Sequence, residues 1–408
     1  MQLRGRTKRR IRRAICYVLV AVLSSAATFL LTQDEQVIYN VVSNGVTPSE
    51  QTPEEKKLAE LAQVLDTYFI GDVDDSKTAE QMAAAMVNAL GDRWSYYMSA
   101  DEYTAYLEQM NNSYVGIGVT ISTDGDNLFE ILKVEKGSGA EEAGIEAGDV
   151  IVGVEGETVE KLGLNKAKAM IKGEENSQVS LTFLRGEEEK TVSVTRKVVF
   201  VEVAAGKMLE NDIGLVTINN FDERCAEETI EAIEELVDQG AEGLIFDVRA
   251  NPGGYKEELV KLLDYLLPEG DLFHSVNYKG QESIDSSDEK CLELPMAVLV
   301  NANSFSAAEF FAAALNEYDW AVTVGEATTG KSHFQNTFRL SDGSAVNLSI
   351  GKYYTPKGVS LVEVGGLVPE IEVKVDEETA AKIYAGSLNP AEDPQIQAAV
   401  TALLEEIG

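Results

Sequence analysis

From Ile213 to Glu326 the sequence alternates short apolar runs with amphipathic runs, and this alternation constrains the fold more than any other feature. Buried strands joined by amphipathic helices form parallel sheets, because a parallel connection needs a crossover long enough to hold a helix. The sequence therefore predicts an α/β core with a parallel-rich sheet. The apolar runs are IGLVTI, AEGLIFDVR, MAVLVN and WAVTVGE, and the runs between them are AEETIEAIEELVDQG, YKEELVKLLDYLL and AAEFFAAALNEY.

The chain before this core has a different texture. Between residues 113 and 200, short alternating runs such as VGIGVTI and QVSLTFLRG are separated by glycines, which predicts a small β-rich domain with one helix near residues 165–171. Residues 54–112 have helical spacing, with Leu58, Leu61 and Leu65 on one apolar face. That face either pairs two subunits or packs on the chain's own core. We predict six segments: 1–33, 34–53, 54–112, 113–200, 201–375 and 376–408, of which the last is helical.

The N-terminal segment has the pattern of a membrane anchor. Residues 14–32 are uncharged and predominantly apolar, about the length that spans a bilayer as a helix, and seven basic residues precede them. Basic residues stay on the cytoplasmic side, so the pattern predicts a single-pass protein of the cell membrane whose body lies outside the cytoplasm, tethered by residues 34–53. A cleaved signal peptide is the alternative, since residues 24–27 are small.

Charge and composition exclude several function classes. Outside residues 1–33, 27 basic and 69 acidic residues give a net charge of −42, which disfavours binding to nucleic acid. The chain has two histidines, His274 and His333, and no CxxC or HExxH motif, so we expect neither a catalytic metal nor another cofactor. Of its three cysteines, Cys225 and Cys291 are the only pair that could form a disulfide bond outside the membrane segment.

Two stretches follow predicted core strands, at the edge where parallel sheets carry their functional sites. The stretch RANPGG, residues 249–254, frees the backbone at two glycines and can present N–H groups to an anion, although an ordinary strand-to-helix turn has the same letters. Ser306 opens the run AAEFFAAALNEY, as the nucleophile of a strand-turn-helix elbow does. The alternative is a capping box, in which Ser306 and Glu309 only satisfy the helix end.

Lys331 is the candidate base for such a serine. It follows the strand WAVTVGE and the loop ATTG, so the chain can return it to the start of the serine helix. A neutral lysine can take the proton of a serine, but lowering an amine pKa from about 10.4 to about 7 costs roughly 4–5 kcal/mol of desolvation. The base therefore requires an apolar pocket. A surface lysine with no catalytic role is the alternative.

The order of the motifs resembles one known family. NPGG, SFSAAE, GKSHFQ, DGSAVNLSIGKYYTPKG and GLVPEIEV occur in the order typical of the carboxyl-terminal processing peptidases, the Ser/Lys proteases of the S41 class, and the likeness extends over residues 60–405. Such proteases have a nucleophilic serine, a lysine 25 positions on and a glutamine four further. Ser306, Lys331 and Gln335 keep this register, whereas Ser304 does not.

The resemblance implies a fold and a set of roles. It implies a crotonase-like α/β protease core built from βαβ units, a PDZ-like β-rich domain, an N-terminal helical region and a transmembrane helix. Ser306 would be the nucleophile, Lys331 its base and Gln335 the residue that orients the lysine. The amides of Gly253 and Ala307 would form the oxyanion hole. Phe305, Ala308 and His333 depart from the residues common in the family, and His333 is an alternative base.

The PDZ resemblance implies how substrates bind. PDZ domains add an extended peptide to a sheet edge and hold its terminal carboxylate on backbone amides, here those of Val115, Gly116, Ile117 and Gly118. The resemblance thus implies a serine endopeptidase that takes protein or peptide substrates by their C-terminal tail. Separately, if the apolar face of residues 54–112 pairs two subunits, the protein is a homodimer. The alternatives are a catalytically inactive PDZ-type scaffold and a crotonase-like acyl-CoA enzyme, the latter disfavoured by export and by the acidic body.

Overall fold

A computed structural model of the protein describes residues 52–122 and 129–408. These residues divide into two compact units: one holds residues 52–97, 337–340 and 345–347, and the other holds the rest. The predicted membrane segment 14–32 and nearly all of the tether 34–53 lie outside the described residues. Within the two described ranges, no helix is both long enough and apolar enough to cross a membrane.

The first unit begins with two helices that expose their apolar side chains. Thr52 forms a capping box with Glu55, and Pro53 occupies the first turn, where its missing N–H costs nothing. In the structure described, neither helix has a buried residue. The elements are α1 (Pro53–Tyr68) and α2 (Asp75–Asn88), followed by β1 (Tyr96–Met98), which ends at the start of the second unit.

The β-rich region between residues 113 and 200 has its own core, as the glycine-separated alternation predicts, but the prediction of one helix was wrong, because short helices at Gly139–Glu142 and Val159–Leu162 accompany the one near residues 165–171. A four-stranded antiparallel sheet has the order β6-β5-β7-β8, and two further pairs are β2 with β9 and β3 with β4. Phe129, Ile151 and Phe183 lie at the centre of its apolar cluster. The elements from α3 onward are α3 (Ala100–Met110), β2 (Ser113–Gly116), β3 (Val119–Ile121), β4 (Ile131–Val134), α4 (Gly139–Glu142), β5 (Val150–Val154), β6 (Glu157–Thr158), α5 (Val159–Leu162), α6 (Leu164–Ile171), β7 (Gln178–Arg185), β8 (Glu188–Thr195) and β9 (Lys197–Phe200).

The predicted parallel-rich α/β core is present. Its six-stranded sheet has the order β10-β11-β12-β15-β16-β19, in which only the β10–β11 pair is antiparallel. The elements are β10 (Ala204–Met208), β11 (Ile213–Ile218), α7 (Cys225–Asp238), β12 (Gly243–Asp247), α8 (Lys256–Leu266), β13 (Gly270–Asn277), β14 (Glu282–Ser287), β15 (Met296–Val300), α9 (Ala307–Glu317), β16 (Ala321–Gly325), β17 (His333–Arg339), β18 (Ala345–Tyr354), α10 (Leu361–Val364), β19 (Ile371–Glu372), α11 (Glu377–Tyr384) and α12 (Pro394–Ile407).

Helices cover both faces of this sheet, which is why its strands are apolar on both sides. Alternate residues such as Phe246 and Val298 pack in a cluster with residues of α7, α8 and α9. Their neighbours Ile245 and Leu299 pack on the other face against α12. A second sheet, in which β18 pairs with β13 and β17 and β13 pairs with β14, was not predicted as a sheet.

Candidate active site

Ser306 lies between β15 and α9 in a strained backbone conformation. Its φ is 60° and its ψ is −123°, and a positive φ is rare for a residue with a side chain. The hydroxyl makes no capping hydrogen bond to the helix that it precedes. The capping-box alternative is therefore wrong for the serine side chain, and the geometry is that of a strand-turn-helix elbow.

Glu309 joins the serine helix to the loop that carries Lys331. The carboxylate of Glu309 is fully buried and accepts hydrogen bonds from the N–H of Gly330 at 2.6 Å, from the N–H of Lys331 at 2.9 Å and from the Thr328 hydroxyl. Burial raises the pKa of Glu309, while these bonds and one from the Ser306 backbone oppose the rise. The first turn of α9 thus fixes the backbone position of Lys331.

Lys331 is buried beside an aromatic cluster. Only 8% of the residue is exposed, so the alternative of a surface lysine is wrong. The hydroxyl of Tyr353 donates to the Lys331 carbonyl oxygen, and the rings of Phe273, Phe310 and Tyr353 lie 4.8–5.7 Å apart between centroids. Burial raises the pKa of Tyr353, and a hydrogen bond with the Ser306 side chain lowers it, so Tyr353 connects the serine to the lysine segment.

The RANPGG stretch lies directly against Ser306. At Gly253 (φ 89°), an added Cβ would lie 2.7 Å from the Ser306 Cβ and 2.8 Å from the Ala307 nitrogen. The Gly253 N–H donates to Asn251 Oδ1 at 2.8 Å, so in this conformation the predicted oxyanion donor is engaged within its own loop. Ala307 is the first residue of α9, where N–H groups have no acceptor within the helix.

Gln335 and His333 lie at the start of β17. The Gln335 amide nitrogen donates to the His333 carbonyl oxygen at 2.9 Å and to the Ser349 hydroxyl at 3.1 Å. These bonds fix the glutamine against β18, and its predicted role in orienting Lys331 stays a prediction. His333 is half-buried beside it.

The structure gives no catalytic role to Ser304 and shows no disulfide bond between Cys225 and Cys291. Ser304 is fully buried, and its hydroxyl donates to the Val248 carbonyl oxygen at 2.7 Å, so it cannot reach a substrate. Cys225 and Cys291 are both free, with Cys225 buried. Among the residues that the structure describes, no group of three or more His, Cys, Asp or Glu side chains is arranged to hold a metal ion.

The four residues predicted to bind the substrate's carboxylate, 115–118, form the carboxylate loop and lie in the β-rich region. Val115 and Gly116 end β2, which pairs with β9, and Ile117 is buried in the core of the region. Gly118 has φ 77°, and a Cβ there would lie 2.3 Å from the Ser138 Cβ. The carbonyl oxygens of Ile117 and Gly118 accept N–H groups of Ala140 and Glu135. The carboxylate-binding role of the four amides stays a prediction.

Three residues of this site were not assigned a role from the sequence: Glu309, Asn251 and Tyr353. Each lies inside a quoted motif, namely SFSAAE, NPGG and GKYYTP. Glu309 was noted as one half of a capping box, but its partners on the loop before β17 are long-range contacts. A polar side chain within an apolar helical face was the signal that could have identified it, since such groups need buried partners.

Comparison with known proteins agrees with the geometry. Residues 212–373 match Peptidase family S41, and residues 130–185 match a PDZ domain. The chain is 31% identical over 90% of its length to the carboxy-terminal processing protease CtpA of Bacillus subtilis (strain 168), covering 78% of that protein. It is 28% identical over 88% of its length to a protein of Staphylococcus aureus (strain N315) that is named "Probable CtpA-like serine protease", covering 72% of it.

A solved structure supports the fold alone. An S41 protease from Bacteroides fragilis NCTC 9343 superimposes with a TM-score of 0.50 at 17% identity, over 89% of this chain and 100% of that one. The assignment rests on the relative from Bacillus, which is 31% identical over 90% of this chain. The chain belongs to peptidase family S41 and is a serine-type peptidase with a PDZ domain.

Proposed function

We propose that the protein is a membrane-tethered, exported endopeptidase that uses a Ser306–Lys331 dyad to cleave proteins held by their C-terminal tail. The main support for the dyad is the hydrogen bond from the Lys331 N–H to Glu309 at 2.9 Å. Glu309 lies in the first turn of the helix that Ser306 precedes, so this bond holds the Lys331 backbone at the serine end of that helix. The uncapped hydroxyl of Ser306 supports the role of nucleophile.

In the first step, the Ser306 hydroxyl oxygen attacks the scissile carbonyl carbon while the neutral Lys331 amine takes the hydroxyl proton. Burial of Lys331 favours the uncharged amine that this step needs. When the tetrahedral intermediate collapses, the C–N bond breaks and the ammonium passes its proton to the leaving amine. Water then attacks the acyl-enzyme, with Lys331 taking a proton from the water and returning it to Ser306. Gln335 orients the lysine.

The N–H groups of Gly253 and Ala307 stabilise the oxyanion of the intermediate. Both nitrogens belong to segments in contact with Ser306, which is the position that such donors require. When substrate binds, the Gly253 N–H gives up its hydrogen bond to Asn251 Oδ1 and donates to the oxyanion instead, because one N–H cannot donate well to both acceptors.

The PDZ domain binds the substrate's tail, and the N-terminal segments tether the enzyme. The tail adds to the sheet edge, and the amides of Val115 to Gly118 hold its carboxylate. Residues 14–32 span the cell membrane with the N-terminus in the cytoplasm, so the protease body lies outside it. The exposed apolar side chains of α1 and α2, which include Leu61, Val64 and Met86, support pairing of two subunits.

One experiment tests the central proposal. The full chain, its Ser306→Ala variant and its Lys331→Ala variant are incubated with a mixture of purified proteins, and new C-termini are identified by mass spectrometry. We expect cuts near the original C-termini with the parent chain only, and fluorophosphonate labelling that is lost with Ser306→Ala. Unchanged cutting by Ser306→Ala would overturn the assignment of the nucleophile. A second comparison uses two peptides of one sequence, one ending in a carboxylate and one in an amide. Equal cleavage of the two peptides by the parent chain would overturn recognition of the carboxylate.

A further inference from the structure

Arg249, the first residue of the RANPGG stretch, is a buried cation with three partners. Its side chain is 4% exposed. It donates two hydrogen bonds to the Asp247 carboxylate at the end of β12, at 2.6 and 2.9 Å. It also donates to Asp393 Oδ2 at 2.8 Å and to Gln395 Oε1 at 2.9 Å. A guanidinium removed from water needs this pairing, so the side chain has one favourable position.

Two of these partners belong to the start of the C-terminal helix, α12. Asp393 uses one carboxylate oxygen for Arg249 and the other as the cap of α12, where it accepts the N–H groups of Gln395 and Ile396. The amide nitrogen of Gln395 donates to the Val373 carbonyl oxygen at 2.8 Å. The apolar side chains of α12 pack on the sheet, so the helix is a fixed support for Arg249.

Ala250, which follows Arg249, has a backbone conformation that residues with a side chain avoid. Its φ is 58°. Its N–H donates to the side chain of Asn301 at 3.0 Å, and Asn301 belongs to the loop that leads from β15 to Ser306. A strained residue keeps its conformation only where its surroundings hold it. Here the bonds of Arg249 hold one side of Ala250, and the bond from Asn301 holds its N–H.

The conformation of Ala250 determines where Gly253 lies. Gly253 is three residues further on and is in close contact with Ser306 and the nitrogen of Ala307. Its carbonyl oxygen accepts the Phe221 N–H at 2.8 Å, on the other side of the stretch. If Ala250 relaxed to a negative φ, the chain after it would turn, and the Gly253 N–H would move away from the serine.

We propose that Arg249 is a positioning residue through which the C-terminal helix holds the Gly253 N–H beside Ser306. The inference rests on the proposed role of Gly253 as an oxyanion donor, and it adds the elements that keep this donor in place. α12 packs on the face of the sheet opposite the serine helix α9, so its effect on the reaction passes through Arg249 and Ala250.

Asp393→Asn tests the proposal in the full chain. Asparagine also caps helices, but its one oxygen stays with the helix N–H groups and its NH2 group then faces the Arg249 guanidinium. We expect kcat to fall about tenfold to 100-fold with KM unchanged, because a displaced oxyanion donor affects the transition state and not substrate binding. The substrate is a fluorogenic peptide that spans a cleavage site found in the mixture of purified proteins.

Asp376→Asn is the matched control. Asp376 caps α11 in the same way, accepting the Thr379 N–H at 2.7 Å, and it is exposed. The control should keep the kcat of the parent. Urea unfolding gives the folded fraction of each variant, so that kcat is expressed per folded molecule. If Asp393→Asn does not fold, Gln395→Met takes its place, because it keeps the ion pair of Arg249 and removes one bond, and kcat should then fall about threefold to tenfold.

A second substitution, Ala250→Gly, gives a readout that lost stability alone would not change. Glycine adopts a positive φ without strain, so the loop needs less support from Arg249. Added to Asp393→Asn, it should raise kcat about fivefold, since a left-handed conformation is disfavoured for alanine by about that factor. The same substitution in the parent should raise kcat by less, because Arg249 already holds the loop there.

The outcomes separate the inference from the function on which it rests. If folded Asp393→Asn keeps the kcat of the parent, or if only its KM changes, positioning by Arg249 is refuted. An equal effect of Ala250→Gly in both backgrounds would refute the route through Ala250. Full hydrolysis by Gly253→Ala would instead refute the oxyanion role of Gly253, and an absence of cuts that depend on Ser306 would refute the proposed endopeptidase, and the inference falls in both cases.

Discussion

The carboxylate of Glu309 accepts the backbone N–H of Lys331 at 2.9 Å, across 22 residues of sequence. Because the same carboxylate also accepts the Gly330 N–H and the Thr328 hydroxyl, the loop before β17 is bonded to the first turn of α9 at three points. The position of the proposed base therefore depends on a fully buried acid.

Glu309→Gln should impair catalysis through this positioning. The glutamine keeps the volume, but its NH2 group would face N–H donors, so at least one bond is lost at about 1–3 kcal/mol. We expect kcat to fall about 100-fold, since a small displacement of a catalytic group has that effect. Glu317→Gln is the control, because Glu317 bonds Thr355 and Lys357 at the other end of α9. Equal losses of kcat in both variants would contradict a specific role.

The identity of the base can be tested by two alanine variants. We expect Lys331→Ala to abolish peptide hydrolysis, because a serine without a base loses about 10⁴-fold or more in rate. His333→Ala should keep at least about half of the activity, since His333 lies two residues away at the start of β17. Steady-state hydrolysis of a tail peptide measures both. Activity that survives in Lys331→Ala and disappears in His333→Ala would reassign the base.

Gly253 tests the close contact between the RANPGG loop and the serine. Gly253→Ala would place a Cβ 2.7 Å from the Ser306 Cβ, so the loop must move and hydrolysis should fall below detection. Gly240→Ala is the matched control, because Gly240 also has a positive φ (97°) but has no atom within 4 Å of an added Cβ. The control should lose about 1–2 kcal/mol of stability and keep full activity at 25 °C. Measurable activity in Gly253→Ala would show that the loop tolerates displacement.

The sequence predicted the core because its strands are local and strongly apolar. β11, β12, β15 and β16 coincide with the four apolar runs, and α7 and α9 coincide with amphipathic runs between them. The hairpin of β13 and β14 was missed because it carries too little apolar alternation: residues 282–287 read ESIDSS, with one apolar side chain. Strand pairing there depends on contacts with β18 that no local pattern records.

The sequence predicted which residues form the site, but it did not predict their hydrogen bonds or backbone conformations. As sequence, Ser306 and Glu309 fit both a capping box and a nucleophile elbow, and only the backbone angles and the partners of Glu309 decide between them. In the same way, NPGG indicated an anion-binding turn, but the bond from Gly253 to Asn251 is a property of one loop conformation. Such choices depend on long-range packing and on the state of the loop.

Asp222 provides a pH-dependent prediction near this loop. Its side chain is 2% exposed, and its Oδ1 has no hydrogen-bond partner among the described residues. Burial, and then the charge of Glu223, raises the pKa of Asp222 from 3.8 to about 7. Phe221 beside it bonds Gly253 and Tyr255 through the backbone, so the acid lies under the loop that approaches Ser306.

Asp222→Asn should stabilise the protein increasingly as the pH rises. Between about pH 4 and pH 7 the folded chain keeps a proton on Asp222 that the unfolded chain has lost, so the stability of the parent falls over this range and the deficit levels off above it. With a pKa of about 7 in the folded chain against 3.8, the loss of stability of the parent is at most about 4 kcal/mol. Asp238→Asn, an exposed change at the far end of α7, is the control and should differ from the parent equally at pH 6 and pH 8. Urea unfolding at pH 5, 6, 7 and 8 measures these differences, and a constant offset for Asp222→Asn would mean that the buried carboxyl group is already ionised at pH 5.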